Sequence, residues 1–250
     1  MLHSTDITLT FPESVRINGA MGSVLHGALM EQLDKETAAR WHSMSLRPYS
    51  QVLYWDKKQQ SAIWRIGTLT EEAYTKIIGC LQTLSRLTLK HEGYAVKIQQ
   101  IRSQRETSFA ELAANFIQAE QAPKGAEWRS LSVMSFKQNN RYVILPDARL
   151  MYQSLLNRWN MFSPDIKLEA DDLAGKLAAH CLLKKYDLHS QIFSVEGTAI
   201  YGCYGIQQYR FFGYDMIKRL QGLLASFAEF SGVGVKTALG MGAVQTKIYD

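Results

Sequence analysis

SGVGVKTALGMG, residues 231–242, is the stretch on which the reading of this chain turns. Four glycines, Gly232, Gly234, Gly240 and Gly242, flank one cation, Lys236, between a helical pattern over 215–230 and a strand-like segment over 243–249. Glycine tolerates positive φ and carries no side chain to block a ligand, so backbone N–H groups here are expected to point at a phosphate while Lys236 supplies full charge. An NTPase phosphate loop needs strand, then GxxxxGK[ST], then a helix. Here the order is helix, loop, strand, and the residue before the lysine is Val235, so a nucleotide site is not expected. A turn that merely reverses a helix into a strand fits the same residues.

Working outward, two aromatic-rich strands over 186–195 and 198–211 precede the helix, with Gly197 at their turn. Before them come a helix over 171–183 and a longer one that Pro146 and Asp147 open and that runs through Trp159. Strand-like segments over 128–136 and 142–145 flank the turn QNN, and QAPKGAE, 121–127, has the composition of a linker after a connecting helix over 107–118. The first half repeats the order. A strand over 6–11 leads to a helix over 23–33 with the stripe Val24, Leu25, Ala28, Leu29 and Leu33. A short helix over 36–41 ends at His42, and Pro48 stops any continuation. Strands over 50–55 and 62–69 join through DKKQQ, Thr70 caps a helix to about residue 84, and 94–102 alternates again. Each half therefore reads βαββαβ. The fold class expected is α+β, with two tandem ferredoxin-like (RRM-like) domains over 1–122 and 123–250 and a cleft for an extended chain where they meet.

With 46% hydrophobic and 20% charged residues, the 250-residue chain can bury full cores, and its net charge of +5 favours a polyanionic partner. The cations are interleaved with aromatic residues in LLKKYDLHSQIF (182–193) and YGIQQYRFFGYDMIKRL (204–220), which makes Lys184, Lys185 and Arg210 candidate contacts to single-stranded RNA. A solvated face beside ordinary core aromatics would look the same. Cys80, Cys181 and Cys203 are scattered and read as reduced core thiols. No apolar run approaches a membrane span and the first residues lack a secretory layout, so a cytoplasmic protein without a membrane partner is expected. No three histidines share metal-ligand spacing with Asp, Glu or Cys, so neither a metal nor another cofactor is expected.

LHGALMEQLD (25–34), WHSMSLRPYS (41–50), YVILPDARLMYQSLL (142–156) and FAEFSGVGVKTALGMGAV (227–244) together resemble the CRISPR-repeat-processing endoribonucleases of the RAMP superfamily, in the form that accompanies type III systems. The resemblance spans both halves. It implies cutting of a precursor CRISPR RNA within each repeat without metal: the 2′-hydroxyl attacks the adjacent phosphate, leaving a 2′,3′-cyclic phosphate, a 5′-hydroxyl and a repeat-derived 5′ handle. The implied partner is CRISPR repeat RNA, and a transient association with a type III effector complex and a homodimer stay open. The competing reading is a non-catalytic RAMP subunit that binds CRISPR RNA in an effector complex.

The resemblance places His42 at the family's principal catalytic histidine, beside the ribose hydroxyl. His26 falls where this subgroup has a histidine before glycine, and Met30, one turn on, replaces a tyrosine that some members use. A thioether transfers no proton, so His26 is the second acid–base candidate, although its apolar flanks also suit a buried structural histidine. Which imidazole is acid and which base stays open. Arg47 stands near the place of a lysine in many relatives and can stabilise negative charge but cannot act as a base. Lys236 is expected to bind the RNA backbone, with the loop glycines. His91 and His189 are read as strand residues, His180 as a packed helix residue, and His3 as frayed.

Overall fold

The computed structural model describes residues 1–195 and 197–249; Glu196 and Asp250, both within the range 123–250, lie outside the described residues. Among those described, β1 (Leu2–Thr10), α1 (Met21–Gln32), α2 (Lys35–Ser43), β2 (Tyr49–Asp56), β3 (Ser61–Thr68), α3 (Glu71–Gln82), β4 (Arg86–Leu89) and β5 (Tyr94–Thr107) form the first unit. Its antiparallel sheet has the order β2-β3-β1-β5-β4. Apart from β4 at the edge, this is the ferredoxin-like arrangement, with β1 between β3 and β5. Local chemistry sets the helix starts: Thr70 Oγ1 accepts from the Ala73 N–H at 3.1 Å to open α3, and Asp34 accepts from the Thr37 N–H at 2.8 Å to open α2.

After α4 (Phe109–Ile117), the second unit comprises β6 (Gly125–Ser130), β7 (Phe136–Gln138), β8 (Arg141–Val143), α5 (Ala148–Phe162), α6 (Leu173–Ala179), β9 (Cys181–Val195), β10 (Thr198–Phe211), α7 (Asp215–Ser231) and β11 (Val244–Tyr249). Its four-stranded sheet runs β11-β6-β10-β9, again with the first strand of the unit between the last and the third. The tandem ferredoxin-like fold is therefore present.

Four expectations are corrected. The strand foreseen over 128–136 ends at Ser130, because Leu131 and Ser132 turn their N–H groups to Ala243 O; residues 136–143 make a separate hairpin whose turn holds Asn139 and Asn140 at φ 48° and 59°. The helix over 171–183 stops at Ala179, since Cys181 already pairs with Phe211 in the long β9–β10 ribbon. His91 sits in the turn after β4, a four-residue strand too short for alternation to reveal. His3 is no frayed residue: it is buried in β1, stacked on Tyr74 at 3.9 Å between rings, with Glu71 and Glu106 at 3.5 and 3.8 Å from its two nitrogens.

α7 packs against both units. Phe227 packs edge-on to Trp159 of α5, with ring centroids 5.2 Å apart, and Phe109 of α4 completes the cluster. The C-terminal end of α7 reaches the other sheet, where Phe230 O accepts from Ser50 Oγ at 2.6 Å and Gly67 of β3 leaves room that a Cβ would fill. Arg105 of β5 clasps the same helix through Glu229 at 2.9 Å and Ser226 at 3.0 Å. Burying an aromatic side chain of this size contributes about 1.5–3 kcal/mol, so the shared helix ties both cores together. No helix of the described residues is long and apolar enough to cross a membrane.

Candidate active site

His26 lies in the middle of α1 on the face turned toward β2, only 8% exposed. Tyr49, the first residue of β2, places its hydroxyl 2.8 Å from His26 Nδ1 and 3.8 Å from Met30 Sδ, one helical turn further along. The Trp41 ring, from α2, packs against Tyr49 at 5.5 Å. α2 carries His42 in its last turn, exposed to solvent, and the connection to β2 carries Arg47, whose Nε is buried without a hydrogen-bond partner among the described residues.

These groups act on one another. Burial first, then the charges of Arg47 and His42, hold the His26 imidazole down to about 4 from an ordinary 6.5, so it is neutral at physiological pH. Burial pushes the Tyr49 phenol up, so it stays protonated. Two neutral, buried groups therefore share a hydrogen bond beside two groups that can carry positive charge.

The glycine loop closes over this corner from the second unit. Its approach depends on Gly22 of α1, against which Gly240 packs so closely that a Cβ on Gly22 would lie 3.0 Å from the Gly240 Cα. Gln51 of β2, fully buried, pins the contact: its Nε2 donates to Gly22 O at 2.7 Å and to Ala238 O at 2.9 Å, and its Oε1 accepts from Trp64 Nε1. Lys236 stands exposed at φ 56°, ahead of a single 3-10 turn, Thr237–Leu239. It shares a pocket of about 350 Å³ with Met44, Arg47, Arg158 and Thr237. Residues distant in sequence, His26, His42, Arg47 and Lys236, thus gather at the junction of the two units.

The glycines themselves do otherwise than the sequence suggests. All four are buried at positive φ, and a Cβ would overlap Ser135 O at Gly234, Val233 O at Gly242 and the Thr237 side chain at Gly232. Their amides are engaged within the protein: Gly232 N–H by Ala228 O, Gly234 N–H by Ser154 Oγ and Gly242 N–H by Val133 O, at 2.8–3.0 Å. The close approach that glycine permits is made by the protein's own backbone, and Lys236 is what the loop presents outward. Lys184, Lys185 and Arg210 are exposed but do not join the site. The loop meets β9 at Phe193, near Gly240, and Lys185 lies eight residues back along the strand, roughly 26 Å at about 3.3 Å per residue.

Tyr49, Gln51 and Arg158 were not legible as site residues. Gln51 meets a partner 187 positions away and Arg158 one 76 positions away, so no local spacing marks them. Beyond Arg47, the segment SLRPYSQ offered only a proline before an alternating strand. Chemically, the arrangement can move a proton at a neutral imidazole while cations hold an anion nearby.

The sequence model described as CRISPR-associated endoribonuclease Cas6 matches residues 129–244. The CRISPR-associated endoribonuclease Cas6 of Mycobacterium tuberculosis is 28% identical over 253 residues, covering 98% of this chain and 79% of that protein. The protein of the same description from Streptococcus thermophilus is 26% identical, covering 88% of each. In fold, the chain is similar to a solved Cas6 product complex, with a TM-score of 0.81 at 20% identity over 99% of this chain and all of the other. A match through the second unit, relatives aligned across both units and the shared tandem fold together make the chain similar to the CRISPR-associated endoribonucleases described as Cas6, with a RAMP-like fold.

Proposed function

We propose that this protein is a metal-independent endoribonuclease that cuts precursor CRISPR RNA once within each repeat. The 2′-oxygen upstream of the scissile bond forms a bond to phosphorus, and the bond from phosphorus to the 5′-oxygen breaks. The products are a 2′,3′-cyclic phosphate and a 5′-hydroxyl that begins the repeat-derived handle. The reaction needs a base, an acid and positive charge beside the phosphorane, and a positioned acid or base contributes about 10²–10⁴ in rate.

The observation that carries this reading is His26, neutral, buried and tied to Tyr49, beside the charges of Arg47 and His42. A histidine held near 4 has no proton to give at neutral pH, so His26 takes the role of base and exposed His42 that of acid. With Nδ1–H donating to the Tyr49 oxygen and the Tyr49 O–H turned to Met30 Sδ, the lone pair on Nε2 is the one left to receive the 2′-proton. His42 delivers its proton to the departing 5′-oxygen, and exchange with solvent resets both rings. An incoming phosphate neutralises the charges that press on His26 and so raises its basicity when the proton must be taken. Arg47 stabilises the phosphorane and Lys236 a backbone phosphate.

The test is to incubate the protein with repeat RNA in EDTA. One cut per repeat ending in cyclic phosphate supports the reading, and a single deoxyribose at the cleavage position should abolish it. Tight binding with intact RNA favours the non-catalytic RAMP subunit, and cutting that EDTA abolishes favours a metal-dependent nuclease.

A further inference from the structure

Arg158, on α5, is a buried charge that the reaction above does not use. It is 5% exposed, and its guanidinium donates to neutral oxygens: Nη1 to Ser154 O at 3.0 Å, and Nη2 to Gly234 O at 2.9 Å and Thr237 Oγ1 at 3.2 Å. Among the described residues it takes part in no ion pair. Burial draws its pKa down to about 10, which leaves it protonated at neutral pH. A cation kept from water without a carboxylate is unfavourable unless an anion approaches. The pocket it lines has Arg47 and Lys236 as its other cations.

Its contacts also have a purpose in geometry. Ser154, one turn before Arg158, accepts the Gly234 N–H at 3.0 Å, so one face of α5 holds both backbone groups of Gly234. Thr237, on the far side of Lys236, is held by the same guanidinium. Lys236 between them sits in the left-handed region, which a residue with a Cβ occupies only when its surroundings require it.

We propose that Arg158 is a positioning residue for RNA: by bonding Gly234 and Thr237 on either side of Lys236, it holds the lysine ammonium over the pocket shared with Arg47, and its own charge adds to the field that a phosphodiester meets there. The inference rests on the reading of this corner as an RNA site. Its test therefore uses repeat RNA with a deoxyribose at the cleavage position, so that binding is read without cutting. Affinity is measured across a salt series for wild type, Arg158→Met, Arg158→Lys, Lys236→Ala and the Arg158→Met/Lys236→Ala pair, with melting temperatures alongside.

Arg158→Met should weaken binding about tenfold and lower the salt slope by about one phosphate contact. Arg158→Lys, which keeps the charge but not the fork, should restore the slope and only part of the affinity. The double variant should fall well short of the product of the single losses, because the two residues work as a unit. A folded Arg158→Met that binds within about twofold of wild type overturns the proposal, as does a double variant whose losses simply multiply. Should Arg158→Met fail to fold, Thr237→Val carries the test: it should weaken binding in the wild-type background and be silent beside Lys236→Ala, and equal losses in both overturn the clamp. A wild type that binds but never cuts would refute the nuclease reading and leave these comparisons intact; one that does not bind refutes both.

Discussion

Tyr49→Phe removes one oxygen and little else. The tyrosine is 1% exposed and braced by Trp41, so a phenylalanine ring fits the same space. What changes is His26, whose Nδ1 loses the partner at 2.8 Å in a setting that water barely reaches. A buried donor left unpaired costs about 1–3 kcal/mol. An imidazole can avoid that cost by moving its hydrogen to Nε2, the nitrogen assigned to receive the 2′-proton. The penalty then appears in the rate, and at about 1.4 kcal/mol per decade it corresponds to roughly a 5- to 150-fold loss. Stability should fall by only about 1 kcal/mol, or roughly 2–4 °C in melting temperature. The assay is single-turnover cleavage of repeat RNA under saturating enzyme across about pH 5–9. A folded variant that cuts within about twofold of wild type with the same pH profile would show that Tyr49 does not set the tautomer, and the assignment of His26 as base would lose its support.

Four further outcomes are expected. Because the folded chain holds His26 near 4 against 6.5 when unfolded, the unfolded chain takes the proton first; this contribution, about 3 kcal/mol, is present above 6.5 and lost as pH falls toward 4. Denaturant unfolding should then show wild type losing more stability than His26→Asn over that window, and parallel curves would count against it. His42→Ala should keep repeat binding while cleavage drops about 10²–10⁴-fold; RNA with sulfur as the 5′-bridging atom, which needs no acid, should restore it, whereas His26→Ala should stay slow. Lys236→Ala should lower the salt slope of RNA binding by about 0.7–0.9, and an unchanged slope removes the lysine from the interface. Gln51→Leu strands Gly22 O, Ala238 O and Trp64 Nε1 at once, so a fall of about 3–5 kcal/mol, near 10 °C in melting temperature, is expected by calorimetry; no shift would mean that the contact does not hold the loop.

Much of the fold could be read because its signals are local. The Thr70 and Asp147 caps, the α1 stripe and the ribbon turning at Gly197 each depend on neighbours a few residues apart. What escaped depends on distant partners. His3 looked like a loose end because Tyr74 and Glu106, which enclose it, lie far along the chain. The glycines were rightly marked as places of close approach, yet sequence could not say that Ser135 and Val233, not a ligand, would approach. Lys184, Lys185 and Arg210 shared composition with an RNA surface, but the two lysines lie near the start of β9, and Arg210 lies beside that end on β10, away from Phe193 where the loop meets the ribbon. His26, His42 and Arg47 were found through resemblance and Lys236 through the glycine loop; Tyr49, which bonds His26, and Gln51 and Arg158, which hold the loop that carries Lys236, have no pattern of their own.

The seating of the glycine loop against α1 and β2 has a consequence in time. Lys236 leaves the ribosome about 190 residues after His42, a delay of roughly 10–40 s at ordinary rates of synthesis. During that interval the nascent first unit holds Gly22 and Gln51, the residues that seat the loop, without the backbone they meet in the finished fold. Translation thus sets an order of assembly: the corner that holds His26, His42 and Arg47 is made first, and the segment that carries Lys236 is fitted to it last.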